Sequence, residues 1–275
     1  MFLRLFTPPY PLSDYIRVMT YYTDYNPEHD YEKLLPDGTV NLIIELDELQ
    51  RYTIDKHTYG QDKKCIRAWI SGMQREYVMY SEQKGSRMFV IQFKAGGCYP
   101  FIHFPVDEIN DLVVDAEMVF GEDVLHLREQ LFEATNPDSM FNIASNWLIK
   151  RAKYASLPES VVRFAVDWII DNPSENALSK LVEKTGYSQK HFIQIFKKYM
   201  GFTPKLYQRI VRFNRVLGEI EKTGGIEWAQ LSLDCGYFDQ AHFINEFNRF
   251  AGMNPTRYLI NKGEYLNYIP VFNER

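Results

Sequence analysis

A β-rich N-terminal domain followed by an all-α domain of two helix-turn-helix units joined by a long helix is the fold class this sequence predicts. Three observations predict it. Between Asp37 and Gly97, short β-branched and apolar runs recur at roughly 10-residue intervals, the spacing of a sandwich or small barrel. From Val161 onward, apolar residues recur at three- and four-residue steps, the helical period. Within that helical region a single segment occurs twice: Gly186–Tyr199 returns as Gly236–Phe250. Repetition at a fixed period marks duplicated supersecondary units.

The 275 residues allow one large domain or two of ordinary size. Hydrophobic residues at 45% and aromatics at 15% supply packed cores and exclude a disordered chain. No apolar run reaches the length of a membrane span, and Met-Phe-Leu-Arg-Leu-Phe-Thr-Pro-Pro is not a signal peptide. A cytoplasmic protein with no membrane partner is expected. Cys65, Cys98 and Cys235 are odd in number and scattered, which argues against a disulfide framework. The formal net charge of −5 hides an asymmetry: −8 over residues 1–159 against +3 over 160–260. An acidic half that avoids phosphate and a basic half that meets it would produce this division.

In chain order, Pro8, Pro9 and Pro11 precede Leu12–Tyr22, whose spacing suits a helix or a strand. Asp37-Gly38 makes a turn into the strand Thr39–Leu46. Strands are expected at Arg51–His57, Cys65–Ser71, Arg75–Tyr80 and Arg87–Phe93, with Gly96-Gly97 closing the run. Helices are expected at Asp107–Leu112, Glu122–Ala134 and Ser139–Lys153, either covering the β-domain or pairing with a second subunit. Tyr154–Pro158 reads as a linker, dividing the chain into domains 1–155 and 156–275. The helix Val161–Ile170 stops at Asn172-Pro173, and Leu178–Lys184 opens the first repeated unit. Pro204–Lys222 is the long connector, ending at Gly224-Gly225. Trp228–Leu233 and the helix from Asp239 form the second unit, followed by Pro255–Ile260 and an irregular tail, Gly263–Arg275.

The repeat holds in register. An offset of 51 carries Ser188 to Asp239, Phe192 to Phe243, Phe196 to Phe247, Gly201 to Gly252, Pro204 to Pro255 and Tyr207 to Tyr258. Upstream it falls to 50, because Phe238 is one extra turn residue. Phe192, Ile195, Phe196 and Tyr199 share one helical face, while Lys190, Gln194, Lys197 and Lys198 lie off it. An apolar back with an amide-and-lysine front suits a DNA major groove, although a charged front is more often a solvated face.

On these motifs, two helix-turn-helix units joined by one helix, the region from about Val162 to Leu259 resembles the DNA-binding domain of AraC-family bacterial transcriptional regulators. Cys-Gly-Tyr-Phe-Asp-Gln-Ala-His-Phe-Ile-Asn-Glu-Phe-Asn-Arg-Phe-Ala-Gly-Met-Asn-Pro-Thr-Arg-Tyr (235–258) is similar to the family signature, and Gly-Tyr-Ser with Phe-x-x-x-x-Gly-x-Thr-Pro (196–204) fits it too. The resemblance implies that both second helices enter major grooves of double-stranded DNA about one turn apart. On that basis Lys190 and Gln194, with Ser188 and Gln189 beside them, are candidates for base edges, Ile193 for a thymine methyl, and Lys197 and Lys198 for phosphate. The repeat places Gln240, Ala241, Ile244 and Asn245 equivalently, with Arg249 at the far end of the same helix. These four are uncharged where many family members carry an arginine near Asn245, so weaker readout is expected from this half. Arg209, Arg212 and Arg215 on the connector either brace the two units or touch the DNA backbone. Gln189, Gln240 and His242 could equally be helix-surface or turn-packing residues.

The acidic half resembles the sensor or dimerisation domains that precede such DNA-binding domains, often cupin-like barrels; Leu-Pro-Asp-Gly (35–38) and Phe-Lys-Ala-Gly-Gly (93–97) carry that likeness. His29, His57, His103 and His126 lack metal-ligand spacing, so no metal and no cofactor is expected. Cys98 reads as a small buried thiol, since no base is assignable to it. The expected function is binding rather than catalysis: a transcriptional regulator controlled by a small effector or a protein at the N-terminal domain, able to homodimerise and to meet RNA polymerase if it activates. Two alternatives stand beside it: an N-terminal domain that only dimerises, and a small-molecule enzyme on the barrel with a helical appendage.

Overall fold

A computed structural model describes residues 1–153, 157–172, 177–222 and 227–272. The start of the expected linker (154–156), Pro173 and the Gly224-Gly225 break lie outside the described residues. Eleven strands form among the described residues: β1 (Phe2–Phe6), β2 (Ile16–Tyr25), β3 (Tyr31–Leu34), β4 (Asn41–Glu45), β5 (Arg51–Ile54), β6 (Gln61–Cys65), β7 (Ala68–Ser71), β8 (Val78–Ser81), β9 (Ser86–Phe93), β10 (Val113–Asp115) and β11 (Tyr268–Val271). They make two antiparallel sheets, ordered β1-β2-β9-β4-β7-β10 and β11-β3-β8-β5-β6.

Alternation along the strands assigns each face of the first sheet. Ile43, Trp69, Met88 and Val90 turn to a small cluster with Cys65 and Tyr80 of the second sheet. Their neighbours Leu42, Ile44, Ala68, Ile70, Phe89 and Ile91 turn the other way, into the main core. Helices cover that second face. Short α1 (Tyr99–Ile102) and α2 (Ala116–Phe120) lead to α3 (Asp123–Glu133) and α4 (Pro137–Arg151). Val124, Leu127 and Leu131 of α3 and Phe141, Ala144 and Leu148 of α4 are buried there. Phe141 lies 5.6 Å from the Phe89 ring. These helices therefore serve their own sheet.

Three expectations need correction. Leu12–Tyr22 divides into a short 3-10 turn, Leu12–Asp14, and the start of β2. Cys65–Ser71 is two strands, because Arg67 turns the chain at φ +56°. The tail is not irregular: β11 pairs antiparallel with β3, from Tyr268 opposite Leu34 to Val271 opposite Tyr31. Pro270 is tolerated because β11 is an edge strand, whose outward side needs no N–H donor.

The helical domain contains α5 (Leu157–Asp171), α6 (Ala177–Thr185), α7 (Gln189–Met200), α8 (Pro204–Lys222), α9 (Trp228–Asp234), α10 (Gln240–Ala251) and α11 (Pro255–Asn261). One continuous buried cluster runs from Phe89 and Ile91 of the sheet through Val162 and Phe192 to Phe213 and Phe247. Among the described residues no helix is long and apolar enough to cross a membrane.

Candidate nucleic-acid interface

Each repeated unit is a short helix, a tight turn and a capped second helix. Gly186 (φ +70°) and Gly236 (φ +88°) occupy the left-handed turn positions that a side chain would strain. Ser188 then accepts the His191 N–H at 3.3 Å, and Asp239 accepts the His242 N–H at 2.7 Å, so α7 and α10 begin on true N-caps. The backs match as well. Phe192, Phe196, Tyr199 and Met200 are buried in the first unit, as are Phe243, Phe247, Phe250 and Ala251 in the second. The ring pair Phe196–Tyr207, with centroids 6.0 Å apart, reappears as Phe247–Tyr258 at 5.5 Å.

The fronts differ. Gln189, Lys190 and Gln194 are exposed, with Ile193 half-buried, and these four line one shallow, open hollow on α7. On α10 the exposed residues are Gln240, Ala241 and Asn245, with Ile244 half-buried. The polar members of both sets face away from the core, while Ile244 packs partly against it.

Of the remaining candidates, Lys197, Lys198, Arg249, Arg209 and Arg212 are engaged within the protein. Lys197 lies 3.4 Å from Asp107 of the N-terminal domain. The Lys198 ammonium sits 5.4 Å above the Tyr99 ring, and the Tyr99 and Tyr199 rings meet at a 40° tilt with centroids 4.2 Å apart. Arg249 is 3.7 Å from Glu76. These pairs are partly exposed and worth at most about 1 kcal/mol each, so a phosphate can still recruit the cations. On α8, Arg209 pairs with Glu246, Arg212 reaches the same carboxylate at 3.6 Å, and its second nitrogen donates to the Gly236 carbonyl at 3.2 Å. Arg212 also lies over the Tyr237 ring at 4.9 Å. Arg209 and Arg212 thus brace the second unit, while Arg215 is exposed.

Glu246 is the residue that sequence reasoning passed over. It is only 3% exposed, although it is ionisable. The repeat held the signal: its equivalent is Ile195, so a carboxylate stands where the first unit has an apolar back. At Cys98, 1% exposed, burial pushes the thiol pKa well up, which leaves it protonated and unreactive.

Residues 181–260 match a helix-turn-helix domain family, and residues 4–115 match a domain of unknown function (DUF6597). The chain is similar to the probable transcriptional regulator LumQ of Photobacterium leiognathi, 32% identical over 99 residues that cover 33% of this chain and 38% of LumQ. An HTH-type transcriptional regulator of Haemophilus influenzae is 23% identical over 131 residues, covering 44% of each chain. The chain therefore spans about two fifths of the length of these two curated relatives. ToxT of Vibrio cholerae overlaps 88% of this chain and 98% of its own, at a TM-score of 0.49 and 12% identity. The duplicated helix-turn-helix region thus falls within the helix-turn-helix domain family, and behind its β-rich N-terminal domain the chain is similar to transcriptional regulators.

Proposed function

We propose that the protein is a sequence-specific, cytoplasmic regulator of transcription that reads two successive major grooves with α7 and α10. One observation carries the reading: two helices with matching caps and buried backs present exposed polar fronts, joined by a single 19-residue helix. That connector spans about 28 Å at about 1.5 Å per residue. Successive grooves are about 34 Å apart, and modest DNA bending absorbs the difference. Lys190 and Gln194 carry the base contacts of the first unit, lysine donating to guanine and glutamine pairing with adenine. Gln240 and Asn245 make the second, weaker set.

The N-terminal domain is the control element, biased by a small effector or a protein bound to it; it also offers a surface for homodimerisation. Nothing in the reading requires a reaction, so the protein acts by binding. RNA polymerase is a further partner if the protein activates.

Gel-shift titration of the full chain on the DNA upstream of its own gene, at stated salt, tests the reading. Binding that weakens for Lys190→Ala and Gln194→Ala supports it; unchanged binding for both removes these residues from the interface.

A further inference from the structure

The repeat extends to a feature that the DNA reading does not use. Gly201 and Gly252, fifty-one residues apart, end α7 and α10. Both are approached by a side chain of the N-terminal domain. The Asn110 amide donates to the Gly201 carbonyl and occupies the space that a Cβ at residue 201 would need. The Tyr77 ring does the same at Gly252, and the Tyr77 N–H donates to the Phe250 carbonyl at 3.1 Å. The cations three residues earlier in each repeat, Lys198 and Arg249, meet Tyr99 and Glu76 beside these contacts.

The two protruding side chains belong to one braced platform. Its loops, 72–77 and 106–112, are locked together. The Arg75 N–H and Nε donate to the Asp111 carboxylate at 2.8 and 2.6 Å. The Asp111 N–H donates to the Met73 carbonyl at 3.0 Å, and the Gly72 N–H to the Leu112 carbonyl at 3.0 Å. Arg75 also lies 5.9 Å from the Phe202 ring, immediately after the first glycine. A shift of either loop therefore moves both seats together. The connector α8 sets the distance between the units and packs against each reading helix; a seat at the far end of each reading helix gives it a second attachment, on the N-terminal domain.

We infer that the platform 72–77/106–112 is a positioning device that sets the register of α7 against α10, so that the N-terminal domain takes part in choosing the spacing between the two groove contacts. Asn110 and Tyr77 are its positioning residues, and Arg75 with Asp111 is its lock. The inference rests on the DNA reading proposed above.

The test uses the full chain and a duplex enriched by it from a random-sequence pool, then the same duplex with one base pair inserted between the two protected segments. The unaltered protein should bind the inserted duplex about tenfold more weakly, the size of a serious site defect. Tyr77→Ala and Asn110→Ala should bind the parent duplex less tightly, yet narrow the insertion loss to about threefold. Tyr77→Phe, which keeps the ring on Gly252, should restore the full discrimination. Arg75→Gln alters a half-exposed side chain, touches neither glycine and should also relax spacing, which keeps the test decisive if Tyr77→Ala does not fold. An insertion loss identical in all variants would overturn this inference alone. Failure to enrich any duplex would overturn the DNA reading and the inference with it.

Discussion

The two helix-turn-helix units share a plan and differ in what holds them and what they show. The first unit is held by oil: Ile195 is half-buried against the core, and the front carries Lys190, Gln189 and Gln194. The second is held by charge. Glu246, at the position equivalent to Ile195, is buried with Arg209 and Arg212, the latter only 2% exposed, while its front is uncharged. Duplication thus preserved the caps, the aromatic back and the terminal glycines, and left the two outward faces and one inward position free to diverge. The unit with the stronger internal electrostatics has the weaker external ones.

The largest test of this contrast lies inside the second unit. Glu246→Ala removes a buried carboxylate from Arg209 and Arg212 and should destabilise the protein by about 3 kcal/mol, as expected when one member of a buried ion pair is removed. Ile195→Ala, at the matching site, removes partly buried methyl groups and should cost about 1 kcal/mol. Denaturant unfolding of the full chain measures both, and equal losses would break the distinction between an ionic and an apolar attachment.

The fronts come next. Lys190→Ala and Gln194→Ala should each weaken DNA binding about tenfold with little change in stability, whereas Asn245→Ala should cost less than about threefold. The caps should give smaller, local effects. Asp239→Ala and Ser188→Ala each remove an N-cap worth about 1 kcal/mol, with the greater loss at Asp239, whose charged acceptor is closer to its N–H. Thermal unfolding would show a larger fall for Asp239→Ala; the reverse order would contradict the cap geometry.

The gentlest effect concerns pH and lies where the N-terminal domain meets the second unit. Lys33 lies 4.1 Å over the Tyr77 ring that seats Gly252, and burial, then Arg257 and Lys56, lower its pKa to about 8. The folded protein therefore releases this proton at lower pH than the unfolded chain, whose lysine titrates at about 10.4. Between these values the unfolded chain binds more protons, so this group's contribution to stability rises with pH above about 8 and is flat below. Lys33→Met should remove that slope. Tyr77 and Lys56 face the same ammonium, and their own substitution would shift the onset.

The legible features of the molecule were those written locally. Ser188 and Asp239 announce their helices, Pro204 and the apolar period mark out α8, and the fixed offset exposes the duplication. What was hidden depends on distant chain. Gln61–Cys65 is almost wholly polar and becomes a strand only by pairing with β5. Tyr268–Val271 has a strand to join only because folding brings it to Tyr31–Leu34. Lys197 and Arg249 read as free cations until Asp107 and Glu76 are placed beside them. Glu246 was passed over although the repeat pairs it with Ile195, because its arginine partners are brought to it only by the packing of α10 on α8.

Unequal readout by α7 and α10, whose caps and aromatic backs match, is what most separates the two units. Single base-pair substitution across a duplex enriched by the full chain, with the affinity measured at one stated salt concentration, tests it most directly. Losses of about tenfold per substitution are expected in the groove read by α7, and of less than about threefold in the groove read by α10. Equal losses in the two grooves, or larger ones under α10, would contradict it.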